Sequence, residues 1–195
     1  MSQNKVTYGF DKVHIAFFDK DSTDAVPAWE APIPVPGAVR WTPEAQGDTN
    51  EFYADNTKYF IVTNNNGYTG ELEMANIPDE LKVRMFGWLI DDKGMLVEIA
   101  DGVPEKFALL GQVKGDKRDR RFVYYNCQAA RTAKENTTKG ESTEIVGETL
   151  SMSSSPIEIG GRVMVKGDLE LSATNATEFN SFFTEVYTPT FTPGA

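Results

Sequence analysis

The single histidine of this 195-residue chain, His14, sits in the apolar run VHIAFF. Nucleophilic catalysis needs a base to take the proton and a further group to orient that base. With one histidine and no serine elbow of the G-x-S-x-G type, a triad has nothing to stand on. His14 is therefore expected to be a packed or edge residue. The only cysteine, Cys127, ends the run RFVYYNC and reads as a small buried apolar residue. A single cysteine also excludes an intrachain disulfide and any Cys-rich zinc site. The stretch DKDSTD, 19–24, places Asp19, Asp21 and Thr23 at the first, third and fifth positions of a calcium loop, with Glu30 at the twelfth. The sixth position holds Asp24 where the sharp turn needs glycine, and Pro27 stands at the ninth. TKGES, 138–142, lacks the leading glycine of a phosphate loop. No catalytic residue, metal site or cofactor is expected, and the chain reads as something other than an enzyme.

Two features remain that could act through contact. KGDKRDRR, 114–121, carries Lys114, Lys117, Arg118, Arg120 and Arg121 against two aspartates. It is either a solvated hairpin tip or an electrostatic contact with an acidic surface of a sister subunit. The second is the opposite sign bias of the whole chain. Its net charge of −10 argues against a protein that grips nucleic acid through phosphates.

The elements that must carry these residues are mostly strands. Length points to one domain with arms, and 40% hydrophobic residues suffice for a sizeable core. KVHIAFFD, 12–19, is a first strand. Residues 20–47 contain Pro27, Pro32, Pro34, Pro36 and Pro43, which argues for extended or edge-like structure. Trp29, Val35 and Trp41 in that stretch need something to pack on. An arm over about 20–50, finding its partner on a neighbouring subunit, satisfies both demands.

KYFIVT, 58–63, reads as a strand, NNNG, 64–67, as a hairpin turn, and Tyr68 onward as the returning strand. There Tyr68, Gly70, Leu72 and Met74 form a core face, while Thr69, Glu71, Glu73 and Ala75 form a wet acidic one. A helix follows, with Asn76 as its possible N-cap, Pro78, Asp79 and Glu80 in its first turn, and Leu81, Met85 and Leu89 buried. DDKG, 91–94, would end it. Residues 105–115 and 119–129 read as a hairpin, and 148–156 and 162–172 as further strands. Residues 176–187 read as a second helix, with Asn175 as its N-cap and Phe179, Phe182, Phe183 and Val186 at helical spacing. An extended tail covers about 188–195. The fold class expected is mainly β, a sandwich or barrel with one or two short helices and extended arms. No charged segment followed by an apolar run opens the sequence, and no stretch approaches the roughly 18 apolar residues of a bilayer span, so a soluble chain made in a reducing cytoplasm is expected.

In their order and spacing, YADN at 53–56, GYTGELEMANIPDE at 67–80, KFALLGQVKGDKRDRRFVYYNCQA at 106–129, TKGESTE at 138–144 and the strand ETLSMSSSP resemble one family. It is the major tail protein family of long-tailed phages and prophages of Gram-positive bacteria, which forms the tail tube. The resemblance implies a β-sandwich whose inner sheets join across six subunits into a ring, with helices outside and arms linking stacked rings. It implies a virion protein made in the host bacterial cytoplasm, with itself, a tape-measure protein and tail-tip or initiator proteins as partners. DNA would pass through without specific binding, and no membrane would be involved. Glu71 and Glu73 are then lumen candidates, and Trp29, Val35, Trp41, Lys117, Arg118, Arg120 and Arg121 are candidates for contacts between subunits. A non-catalytic carbohydrate-binding β-sandwich is the alternative, resting on Trp29, Trp41 and Tyr68 being exposed.

Overall fold

The computed structural model describes residues 4–23, 25–54, 56–131 and 147–191. The fold is mainly β and sandwich-like, with one large antiparallel sheet and two short helices, as expected. The first strand, β1 (Thr7–Phe17), begins earlier than its apolar residues suggest and is bulged between Asp11 and His14. Lys12 takes a left-handed φ of 53° at that bulge. β2 (Ile33–Pro34) pairs with β1, and β3 (Ala38–Gln46) pairs with β6 (Gly67–Met74). Between them lie β4 (Thr49–Ala54) and β5 (Thr57–Thr63), which pair only with each other.

Helix α1 (Asp79–Phe86) follows, then a small hairpin of β7 (Leu89–Ile90) and β8 (Leu96–Val97). β9 (Phe107–Gly115) and β10 (Arg120–Ala130) form the expected central hairpin, and β11 (Glu148–Ser154) joins β10 to β6. β12 (Ile157–Ile159) and β13 (Arg162–Met164) form a hairpin around the two glycines, β14 (Lys166–Glu170) pairs with β10, and α2 (Ala176–Ser181) comes last.

The sheet order is β2-β1-β9-β10-β11-β6-β3, and its two ends belong to one chain segment. Val35 N donates to Val13 O at 2.8 Å, and two residues later Gly37 O accepts from Ala75 N at 2.7 Å. The segment thus crosses from one end of the sheet to the other and curls it around a core. Inward side chains alternate along β1, β6, β9, β10 and β11, as a pleated sheet requires. Val13, Ile15, Phe17, Leu72, Met74, Phe107, Leu109, Phe122, Tyr124, Leu150 and Met152 fill the inside, with Leu81 and Met85 of α1 closing one end. A second apolar layer covers the outer face of β1, β9 and β10. There Ala108, Leu110, Val123 and Tyr125 meet Ile159, Phe182 and Phe183.

The proline-rich stretch is a correction. It is not an arm waiting for a neighbour but two strands of the sheet itself. Val35 is 2% exposed in the main core, and Trp41 packs edge-on against Tyr124 with ring centroids 5.5 Å apart. Pro43 is tolerated because β3 lies at the end of the sheet order, where a missing N–H breaks no second ladder.

The NNNG turn is a second correction. β6 returns not against β5 but against β3, from Trp41↔Leu72 to Gln46↔Gly67. Gly67 has a left-handed φ of 98°, and a side chain there would collide with Ser154 O. Glycine is therefore required where the ladder to β11 starts.

Helix α1 is shorter than expected and starts at Asp79 after Pro78, without an Asn76 cap. It stops at Gly87, in a left-handed conformation with φ 69°, which frees Leu89 from the buried face and leaves it 54% exposed. DDKG instead turns the β7–β8 hairpin, where Asp91 Oδ1 accepts from Lys93 N and Met95 N at 2.9 and 2.7 Å. α2 likewise ends at Ser181, so Phe182 and Phe183 pack from beyond its last turn. Asn175 precedes α2, but its side chain holds Ser172 N and Glu170 O instead of capping the helix. Among the described residues no helix is long and apolar enough to cross a membrane.

Candidate functional site

The groups able to do chemistry are held by structure. His14 Nδ1 lies 2.9 Å from Lys12 O, and its ring stacks on Phe183 with centroids 4.4 Å apart. Burial holds its pKa below the usual histidine value, and the nearby Arg121 and Lys12 charges act in the same direction. Cys127 is fully buried, and desolvation pushes its thiol up to about 12, far from a reactive thiolate. Glu30, the twelfth residue of the calcium-like stretch, is gripped by both terminal nitrogens of Arg84 at 2.7 and 2.9 Å. Among the described residues no cluster of three or more His, Cys, Asp or Glu is placed to hold a metal. The TKGES stretch at 138–142 lies outside the described residues.

The basic turn between β9 and β10 is built differently from its sequence reading. Arg121 is 7% exposed. Its guanidinium lies over the rings of Phe179 and Phe183, 4.0 and 4.6 Å from their centroids. Its Nε donates to Gln112 Oε1 at 3.0 Å, and Nη1 donates to Phe179 O. Burial lowers its pKa, and the Asp119 charge opposes that shift. Arg121 therefore fastens α2 to β10 and is not available to a neighbour, which corrects its assignment as a contact residue. Arg118 and Arg120 both reach Glu170 of β14, at 3.4 and 2.9 Å. Chiefly through Arg120, they hold the Glu170 carboxyl below its usual range. Asn4 braces the turn, its side chain accepting from the backbone N–H groups of Lys117 and Arg118. Lys117 itself is exposed.

The aromatic candidates are also engaged within the chain. Trp29 Nε1 donates to Tyr125 O at 3.1 Å, and its ring packs on Phe18 and Tyr125. Tyr68 and Trp41 both set their rings edge-on against Tyr124. All three are half-buried. The partners that sequence reasoning sought for Trp29, Val35 and Trp41 in another molecule are in this one.

Other surfaces of the described chain lack such cover, and two of them adjoin β6. The first is the outer face of β3, β6 and β11. Along β6, Leu72 and Met74 are buried while Glu71 is exposed and Glu73 half-exposed, so the expected split of faces is observed. Glu73 pairs with Arg40 of β3 at 3.2 Å. Around them Thr42, Glu44, Thr69, Glu71, Ser151 and Ser153 line a shallow hollow of about 480 Å³. No element of the described chain lies over this face as α2 and β12–β13 lie over the other. Short hydroxyls and carboxylates make it a wet wall.

The second surface is the β4–β5 hairpin. It continues the β3–β6 ladder past Gln46 and Gly67 and then leaves the sheet. Tyr59, Phe60 and Ile61 are 73%, 61% and 53% exposed. Consecutive strand residues point to opposite faces. Three in a row this exposed mean that neither face of the ribbon is covered. Sequence reasoning reads this run only as the strand that leads into NNNG, without asking what covers it. The available signal was the missing alternation, since a strand with one buried face would alternate.

No family model matches the sequence, and no curated protein matches it either.

Proposed function

We propose that the chain is a structural subunit that self-assembles into the tail tube of a long-tailed phage or prophage, as stacked rings of six copies through which DNA passes. The observation that carries this reading is the β4–β5 hairpin, on which the consecutive Tyr59, Phe60 and Ile61 all stand exposed. An isolated two-stranded hairpin is marginal in water, and bare apolar strands invite association. Such a ribbon is stable where a partner surface covers it.

The wet face of β3, β6 and β11 supports the same reading. Glu44, Glu71 and Glu73 stand on it, and repetition around a ring would multiply their charge into a field that repels phosphate. The sequence resemblance supplies the rest: six-fold rings, a tape-measure protein inside, and tail-tip proteins as the starting point. The carbohydrate-binding alternative rested on Trp29, Trp41 and Tyr68 being exposed, and these pack on the core instead.

Sedimentation velocity over a wide range of protein concentration tests the proposal. Mass that grows with concentration supports a self-assembling subunit. A single monomeric species up to millimolar concentration overturns it.

A further inference from the structure

A second bare apolar surface lies at the opposite end of the molecule from the β4–β5 hairpin. On and beside the β7–β8 hairpin, Leu89, Ile90, Met95 and Val103 are 54%, 45%, 64% and 82% exposed. Val97, paired with Leu89 across the hairpin, is 36% exposed. This stretch is not loose. Phe86 and Trp88 pack their rings 4.9 Å apart at its start, Asp91 closes its turn, and Gly87 and Gly102 lie in close approach at its base. Apolar side chains on a fixed frame, rimmed by polar groups, mark a contact surface.

The strand directions put the two surfaces at opposite ends. β6 begins at Gly67, where the β4–β5 hairpin joins, and ends at Met74, just before α1 and the β7–β8 hairpin. β9 starts from the β8 side at Phe107 and runs back to the basic turn at Gly115. Along the eight residues of β6 the two junctions lie about 25 Å apart at 3.3 Å per residue. The charges differ in sign as well. Asp91, Asp92, Glu98 and Asp101 surround the β7–β8 patch, with Lys93 and the Glu98-paired Arg131 against them, while residues 114–120 hold four cations and two aspartates.

We infer that the β7–β8 patch, centred on Leu89, Ile90, Met95 and Val103, receives the Tyr59–Ile61 hairpin of a second copy of this chain. The two surfaces are different, so the contact is head-to-tail. A head-to-tail contact between opposite ends does not close on itself and propagates a filament along the strand direction. This rests on the tube reading and names the two surfaces that join successive subunits along the tube.

The test places a photoreactive benzophenone side chain at position 60 in full-length protein. Isotopically light and heavy copies are mixed at concentrations where the protein associates, irradiated, and digested for peptide mapping. The expected product joins position 60 of one copy to residues 88–106 of the other, in light–heavy pairs. Links confined to single copies, or landing elsewhere on the second copy, overturn the inference while tubes seen by microscopy leave the tube reading standing. Absence of any association overturns both. As an independent check, Met95→Glu with Val103→Glu should weaken association at least tenfold with an unchanged circular dichroism spectrum. Unchanged association also overturns the inference.

Discussion

Arg84 of α1 and Glu30, ahead of β2, meet in a two-pronged ion pair, Nη1 to Oε2 at 2.7 Å and Nη2 to Oε1 at 2.9 Å. The same guanidinium accepts no substitute easily. Its Nε donates to Glu105 Oε2 at 3.0 Å, and its carbon lies 3.8 Å from the centroid of the buried Phe17 ring. One side chain thus ties the helix to two loops, beside the backbone hydrogen bond that Glu105 N donates to Arg84 O at 2.9 Å.

Replacing Arg84 with alanine should lower the unfolding free energy by about 1–2 kcal/mol, the lower part of the range for charged hydrogen bonds because both partners are partly solvated. Arg84→Lys should not restore it, since an ammonium cannot grip both oxygens of Glu30 and stack on Phe17 together. Arg84 holds the Glu30 carboxyl below its usual range. That stabilisation is complete above the unfolded value of about 4.3 and disappears as pH falls through the lower folded value. The difference between parent and Arg84→Ala in urea titrations should therefore shrink between pH 5 and 3. A constant difference would show that the pair contributes through packing alone.

Excision separates the two long segments that interrupt the first half of the chain. Removing residues 24–46 deletes β3 and the buried Val35, and should unfold the domain. Replacing residues 49–63 with a two-residue Asn-Gly turn should leave it folded, because β3 and β6 still pair up to Gln46 and Gly67. The shortened protein should lose self-association. Circular dichroism and sedimentation read the two outcomes, and unfolding of the hairpin-less form would place β4–β5 within the cooperative core.

Cys127 should be silent in the native state. It is 0% exposed, with its thiol pushed up to about 12, so thiol reagents at pH 8 should label it only when the sheet opens. The labelling rate should rise steeply across the denaturant transition. Fast labelling of folded protein would mean that β10 and β11 separate locally.

Exchanging Glu71 and Glu73 for lysine should leave assembly intact while slowing DNA passage in a salt-sensitive way. The loss of the Arg40 contact at an exposed site should cost at most about 0.5 kcal/mol. A density map of an assembled tube with both side chains pointing outward would remove the lumen role.

The sequence made the central strands legible because their chemistry is local. Alternation set the faces of β6, and a Gly/Asp turn between two apolar runs marked β9 and β10. Burial of Cys127 followed from the run that contains it. The proline-rich stretch was legible as edge-like, as β3 at the end of the sheet order is, but not as part of the sheet, because only long-range pairing shows that its partners lie in the same chain. NNNG looked like a hairpin turn, yet the register of Trp41 with Leu72 made the true turn lie beyond Ala54. The cations of the basic turn pointed to a sister subunit, whereas Arg118 and Arg120 pair within the chain. Glu170 lies 50 residues from Arg120 along the chain, a separation that no local pattern reveals. The bare hairpins were hidden for a related reason, since an apolar run carries the same letters whether it is covered or not.

Negative-stain electron microscopy of the purified full-length protein tests the central claim most directly, over a range of concentration and salt. Self-assembly predicts rings or tubes of uniform diameter with a stain-filled channel, and the form lacking residues 49–63 should show none. Featureless single particles under every condition, from protein that is folded by circular dichroism, would contradict the account.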